Sequence, residues 1–241
     1  MRTFAARPAL PPAVVVTLAE KTAEIVGHGT PKLRAETVYT SSRSTIWFSP
    51  VINLLRNLAG VGGRCMLCSG SESSDVEHFK PKADYPEEAM RWENYLWSCG
   101  ICNRTKGNEF PPAGEHLINP LDENVWLFFF IDEFGLLTPL WRPELNDLDP
   151  RAKNTARVFG LGREDLQQTR QCRLRNLKRL ITTAIGEHDR GEITQLGLRK
   201  LLEEWVREPY QPDVADFFLK GPGALEAPFA DILQRAGQPF Q

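Results

Sequence analysis

Two Cys-x-x-Cys pairs, Cys65/Cys68 and Cys99/Cys102, are separated by 30 residues in a chain that holds five cysteines in all. Each pair sets two thiolates on a tight turn, and together they match the tetrahedral four-thiolate demand of structural zinc. In a reducing compartment such pairs point to metal rather than to disulfides. Four thiolates close the coordination sphere, so a zinc bound here is architectural, and any catalysis must come from other residues. The surrounding stretch, residues 62–112, is rich in Gly, Ser, Cys and charge. It has too few regularly spaced aliphatic residues for a core of its own and needs a staple.

The rest of the chain bounds the answer more loosely. A length of 241 residues suffices for one good core, or one core plus a small metal-stapled module. The charged fraction of 25% and hydrophobic fraction of 41% are those of an ordinary globular protein, and no apolar run approaches the length of a membrane span. The prolines in "MRTFAARPALPPAVVV" and the lack of a long apolar stretch before a cleavage site argue against secretion, so a cytoplasmic protein is expected. The net charge of −2 gives no general attraction for a polyanion, which would have to be held by a local concentration of Lys and Arg.

Along the chain, Pro11 to about Gly27 reads as a helix entered through prolines and closed by glycine. The stretch from there to Ser49 carries no clear pattern. In "SPVINLLRNLAG" Ser49 is expected as N-cap and Pro50 as the first helical residue, with Ile52, Leu54, Leu55 and Leu58 as the buried stripe and Gly60 as terminator. Downstream, "VWLFFFIDEFGLLTPLW" has two apolar runs around Asp132, Glu133 and Gly135, the pattern of a β-hairpin. Asp149-Pro150 opens a helical segment through Phe159. Arg163 to about His188 supports one long amphipathic helix carrying Leu166, Leu174, Leu177, Leu180, Ile181 and Ile185, with Cys172 on its core face. "EITQLGLRKLLEEWVRE" and "DILQRAG" add two more helices, separated by a loop punctuated by Pro and Gly near Lys220 to Gly223.

A metal at the four cysteines would tie the loop after Cys68 to the turn after Cys102. Glu77 and His78 then come near Asn103, with Asn94, five residues before Cys99, between them. The order acid-His, Asn, Cys-x-x-Cys-Asn-x-x-Lys-Gly resembles the HNH endonucleases of ββα-metal type, in the variant whose last His is Asn. It is most similar to the four-cysteine members found beside ATPases in Septu-type and retron-type bacterial anti-phage systems. "EHF-x-P-K", "W-x-N", "S-C-x-x-C-N-x-x-K-G" and "F-P" stand here in the order they have there. The similarity is dense over Cys65 to Pro111 and looser beyond, through "TARVFGLGREDLQQTR".

The resemblance implies roles for matching positions. His78 would be the general base that deprotonates water. Glu77 and Asn103 would hold one divalent cation, Mg²⁺ or Mn²⁺, whose preference for oxygen suits a carboxylate and an amide carbonyl. Asn94 would bridge the loop between two strands and orient His78, and Asp75 would support the site from behind. Lys80, Lys82, Arg104 and Lys106 flank it and would position a phosphate backbone without reading bases, unless they are a solvated charge run. Trp92, Tyr95 and Trp97 fit hydrophobic packing better than base stacking. His28, His116 and His188 carry no assigned role.

The expected fold is α+β and predominantly helical, with a zinc-stapled ββα-metal (HNH) module embedded between helical segments. Residues 1–60 form an N-terminal helical segment, 61–118 the nuclease module, and 119–241 a β-hairpin with C-terminal helices. The expected activity is metal-dependent hydrolysis of nucleic-acid phosphodiester bonds, with DNA ahead of RNA as substrate and no membrane association. The resemblance adds an anti-phage role with an ABC-type or AAA-like ATPase partner. One rival reading is a zinc-dependent module that binds nucleic acid or protein without cutting; another is that the long helices chiefly form a docking surface for an ATPase partner and the nuclease is silent alone.

Overall fold

The structure, a computed structural model, describes residues 1–60, 62–70, 75–207, 212–221 and 227–237. Pro222 and Gly223, part of the punctuation expected after Lys220, lie outside these residues. The architecture is α+β with helix predominating. Among the described residues no helix is long and apolar enough to cross a membrane. The chain divides into two compact units.

The first unit, Phe4–Glu123 with Val158–Gly160, holds both cysteine pairs. Helix α1 (Pro12–Val26) starts at a proline, which loses no helical hydrogen bond there, and buries Val14, Leu18 and Ile25. The stretch without a readable pattern forms α2 (Pro31–Ser42), whose narrow buried row is Ala35, Val38, Tyr39 and Ser42. A short 3-10 turn, Ile46–Phe48, leads into α3 (Ser49–Leu58). Its extent is close to that expected, but Ser49, expected as N-cap, is its first residue, the cap position being Phe48 with no side-chain cap, and its inward row differs too. Val51, Leu55 and Ala59, four residues apart, are fully buried, while Ile52, Leu54 and Leu58 are half-buried.

Strand β1 (Asp75–His78) pairs antiparallel with β2 (Tyr95–Ser98), Glu77 opposite Leu96 and His78 opposite Tyr95. The seven-residue helix α4 (Gly100–Lys106) follows at once and ends at Gly107, whose φ of 54° a side chain would resist. The local order is therefore strand, strand, helix. Arg7 braces β2 from the start of the chain, its guanidinium donating to the carbonyls of Trp92, Glu93 and Tyr95 at 3.1, 2.8 and 2.8 Å. Three donors on one planar fork suit a row of carbonyls that a Lys could not span.

The second unit is Met1–Thr3, Asn124–Arg157 and Leu161–Gln241. Its two apolar runs form the expected hairpin, β3 (Phe129–Ile131) with β4 (Leu137–Pro139), turning through Gly135 at φ 81°. A second hairpin, β5 (Trp141–Arg142) with β6 (Asp147–Leu148), has strands too short to show alternation. Helices α5 (Pro150–Val158), α6 (Glu164–Asp189), α7 (Gln195–Arg207), α8 (Pro212–Lys220) and α9 (Phe229–Ala236) complete the described elements. The interior row of α6 is Leu166, Arg170, Leu174, Leu177, Ile181 and Ala184. This corrects two expectations: Cys172 and Leu180 fall off that row and are exposed. The row instead admits a cation, Arg170, balanced by the buried Asp213. Asp216 is buried too, accepting from Thr3 N, Thr3 Oγ1 and Trp126 Nε1 at 2.7 to 2.8 Å, so this second acid of α8 is satisfied by hydrogen bonds.

Candidate active site and metal centre

The sulfurs of Cys65, Cys68, Cys99 and Cys102 all lie within 4.8 Å of one another, and all four residues are buried. None is in a disulfide. Cys68 Sγ stands 3.8 Å from Cys99 Sγ, the spacing of two sulfurs each about 2.3 Å from a shared tetrahedral centre. Local backbone supports thiolates here, with Cys68 N–H donating to Cys65 Sγ at 3.5 Å and Gly70 N–H to Cys68 Sγ at 3.4 Å. Hydrogen bonds with Cys102 and Cys65 lower the pKa of the Cys68 thiol, whereas burial raises that of Cys65. This buried all-sulfur set could bind a metal such as zinc. It also closes on β2: Met66 N–H donates to Trp97 O at 2.9 Å, and Trp97 Nε1 to Gly63 O at 2.9 Å.

Beside the knuckles, β1, α4, α2 and the loop after β1 line a cleft of about 290 Å³. Glu77, His78 and Asn103 all border it, as do Lys82, Arg104 and Lys106. His78 is 6% exposed. Its Nε2 lies 2.9 Å from Ala89 O. A carbonyl can only accept, so Nε2 carries the proton and Nδ1 keeps its lone pair. The ring rests edge-on against Tyr39 and Tyr95, at centroid distances of 4.3 and 5.3 Å. Burial, reinforced by the positive charge of Lys82, pushes its pKa down to about 3, so the imidazole is neutral at neutral pH.

Glu77 is buried and its Oε1 accepts from Lys106 Nζ at 2.7 Å. The same ammonium donates to His78 O at 2.8 Å. Burial pushes the carboxyl up and the ammonium down, and each partner pulls the other back towards its charged form. Lys106 is thus an interior residue, not part of the exposed basic rim with which its spacing groups it. Asn94, also buried, spans the loop after β1. Its Oδ1 accepts from Lys80 N–H at 2.7 Å, and its Nδ2 donates to Lys80 O and Glu88 O at 2.9 and 3.0 Å.

Asn103 is half-buried. Lys80 pairs with Glu88 at 2.9 Å and Lys82 with Glu36 at 3.2 Å, while Arg104 is exposed. Asp75 lies 3.8 Å from Arg43. Trp92, Tyr95 and Trp97 are all buried. Tyr95 donates to Ala89 O at 2.8 Å, beside His78 on the same carbonyl, and Trp92 to Pro8 O at 3.2 Å.

Tyr39, Arg43 and Arg7 were not anticipated. The first two reach the cleft from α2, one helical turn apart, and their spacing in "VYTSSRS" was the only signal available.

No family profile matches the chain. Over 86 residues, 34% of its length, it is 35% identical to the Septu protein PtuB of Bacillus thuringiensis, covering 33% of that protein. The chain thus aligns with about a third of the curated relative it matches.

Proposed function

We propose that the chain is a metal-dependent endonuclease of HNH type that hydrolyses nucleic-acid phosphodiester bonds. The observation that carries this reading is the convergence of Glu77, His78 and Asn103, from the end of β1 and from α4, on one cleft. His78, with Nε2–H fixed on Ala89 O, offers Nδ1 to take a proton from an attacking water. Asn94 holds the loop that positions it. Glu77 and Asn103 would hold a divalent cation such as Mg²⁺ or Mn²⁺, since Glu77 has a second carboxylate oxygen beyond the one on Lys106 and Asn103 offers an amide carbonyl. When bound, that cation offsets the charge that builds on the scissile phosphate. The four cysteines would hold a structural zinc that keeps β2 and the start of α4 in place. Lys82 and Arg104 stand at the cleft for the flanking phosphates.

The likeness to a Septu protein supports an anti-phage role, and with it an ATPase partner as the resemblance implies. One observation favours a second reading, a zinc-dependent binding module without catalysis: one Glu77 oxygen is already engaged by an interior lysine.

The deciding experiment is cleavage of plasmid and RNA by wild type and by His78→Ala, with Mg²⁺ or Mn²⁺, after zinc content has been checked. A fall in rate on the order of 10²–10⁴ with zinc retained is expected from loss of a general base. Equal cleavage by the two proteins would refute the assignment of His78. Binding without cleavage, with the ATPase partner present, would establish the second reading.

A further inference from the structure

The middle of α6 carries a charge pattern that neither its packing nor the cleft uses. Between Asp165 and Glu187 there is no acid, and Arg170, Arg173, Arg175, Lys178 and Arg179 all fall in that interval. Two of the five share one acid inside the unit: Arg170 and Arg173 lie 3.4 and 2.9 Å from the carboxylate of Asp213. The others point away from that row. Arg175 and Arg179 are exposed and Lys178 is half-buried, and among the described residues none of the three forms an ion pair. Arg175 has only a neutral partner, the Gln171 amide oxygen at 3.3 Å.

Arg175 and Arg179 are four residues apart, so the like charges face each other at a cost to the helix that an acid in either neighbouring turn would relieve. The 3.6-residue repeat puts Gln168, Arg175, Arg179 and Thr182 on one face with Lys178 at its edge, over about 21 Å of axis. Gln168 donates to Glu164 at 2.9 Å and the Thr182 hydroxyl to Lys178 O at 2.8 Å, so the groups this face offers to phosphate oxygens are the three cations Arg175, Lys178 and Arg179. Gln168, Arg175, Arg179 and Thr182 bring no aromatic or aliphatic anchor of their own, although a groove holding Leu180, Leu201, Trp205 and Glu187 opens on the Arg179 side. With a net charge of −2 for the chain, a polyanion must be held by such a local concentration.

We propose that this face of α6 is a phosphate-backbone binding surface for nucleic acid, separate from the cleft and indifferent to base sequence. It shares with the nuclease reading the class of ligand but not the chemistry, so each can fail alone.

The test replaces Arg175, Lys178 and Arg179 together with Gln and measures binding of a fluorescein-labelled DNA duplex, and of a labelled RNA of equal length, across a salt series. A control of equal charge change replaces Lys32, Lys153 and Arg199, each paired with a carboxylate on the surface. Both triple variants are made in the His78→Ala background, so that no strand is cut. The α6 variant should bind on the order of tenfold or more weakly than its control. Its slope of log affinity against log salt should be shallower by about 2–3. The arm that shows this, DNA or RNA, names the source of the phosphate. A benzophenone attached to the exposed Cys172 should crosslink to the same strand. Equal affinity and slope in the two variants, or no binding of either nucleic acid by the parent protein at low salt, overturns the proposal. So does competition by an acidic polypeptide alone. Absence of cleavage by the protein with native His78, with Mg²⁺ or Mn²⁺ and the ATPase partner present and the α6 effect intact, would sink the nuclease reading and leave this one standing.

Discussion

Lys106 Nζ lies 2.7 Å from Glu77 Oε1 and 2.8 Å from His78 O, so the last turn of α4 is tied to the end of β1 by one buried ammonium. Removing one partner of such a pair leaves an uncompensated interior charge. Lys106→Met is expected to cost about 3–5 kcal/mol, and the double change with Glu77→Leu to recover much of it. Urea denaturation of the two single variants and the double closes the cycle. Additive losses would mean that the pair is not coupled.

The cysteine cluster predicts one zinc per chain by elemental analysis. Cys102→Ser should lower zinc occupancy and expose the unit Phe4–Glu123 to proteolysis, because metal binding free energy is folding free energy where a small core depends on a staple. A variant that lost zinc and kept its melting temperature would show that the sulfurs are packing residues.

Asn94 gives a chemically sharper test. Asn94→Ala removes one acceptor and two donors, whereas Asn94→Asp keeps the acceptor for Lys80 N–H and turns a carboxylate towards the carbonyls of Lys80 and Glu88. A donor lost in a buried network costs about 1–3 kcal/mol per orphaned group, and more where a charge is introduced. The Asp variant should therefore be less stable than the Ala variant near neutral pH. The reverse order, read by thermal melting, would show that the two carbonyls find water instead.

Gly135→Ala should destabilise the second unit by about 2–5 kcal/mol, combining positive-φ strain with overpacking. A Cβ there would meet Gln167 O and stand 2.5 Å from Gln171 N, both on α6. Unchanged denaturant midpoints would mean that the hairpin can move away from the helix without loss.

What the sequence made legible follows the strength of its local signals. Helix α3 was readable because Ser49-Pro50 opens it and Gly60 follows it, yet its buried row runs through Val51, Leu55 and Ala59, a choice made by tertiary neighbours. Helix α2 was unreadable because Lys32, Arg34, Glu36 and Thr37 leave only a thin apolar row. Helix α8 was missed because Asp213 and Asp216 occupy interior positions that read as polar surface until their partners Arg170, Arg173, Thr3 and Trp126 are known. At the cleft, spacing brought Glu77, His78, Asn94 and Asn103 into one neighbourhood. It was silent on which cation lies inside, because Lys80, Lys82, Arg104 and Lys106 are chemically alike as letters and differ only in their surroundings.

The ring of Tyr39 against His78 and the grip of Arg7 on the carbonyls around β2 both come from well upstream of the first cysteine. A segment cut at the borders of the cysteine-rich stretch would keep every motif residue and lose the wall and the brace that hold them. The smallest transplantable piece of this protein therefore begins before Arg7, and grafting the motif alone onto another scaffold would move its letters without its geometry.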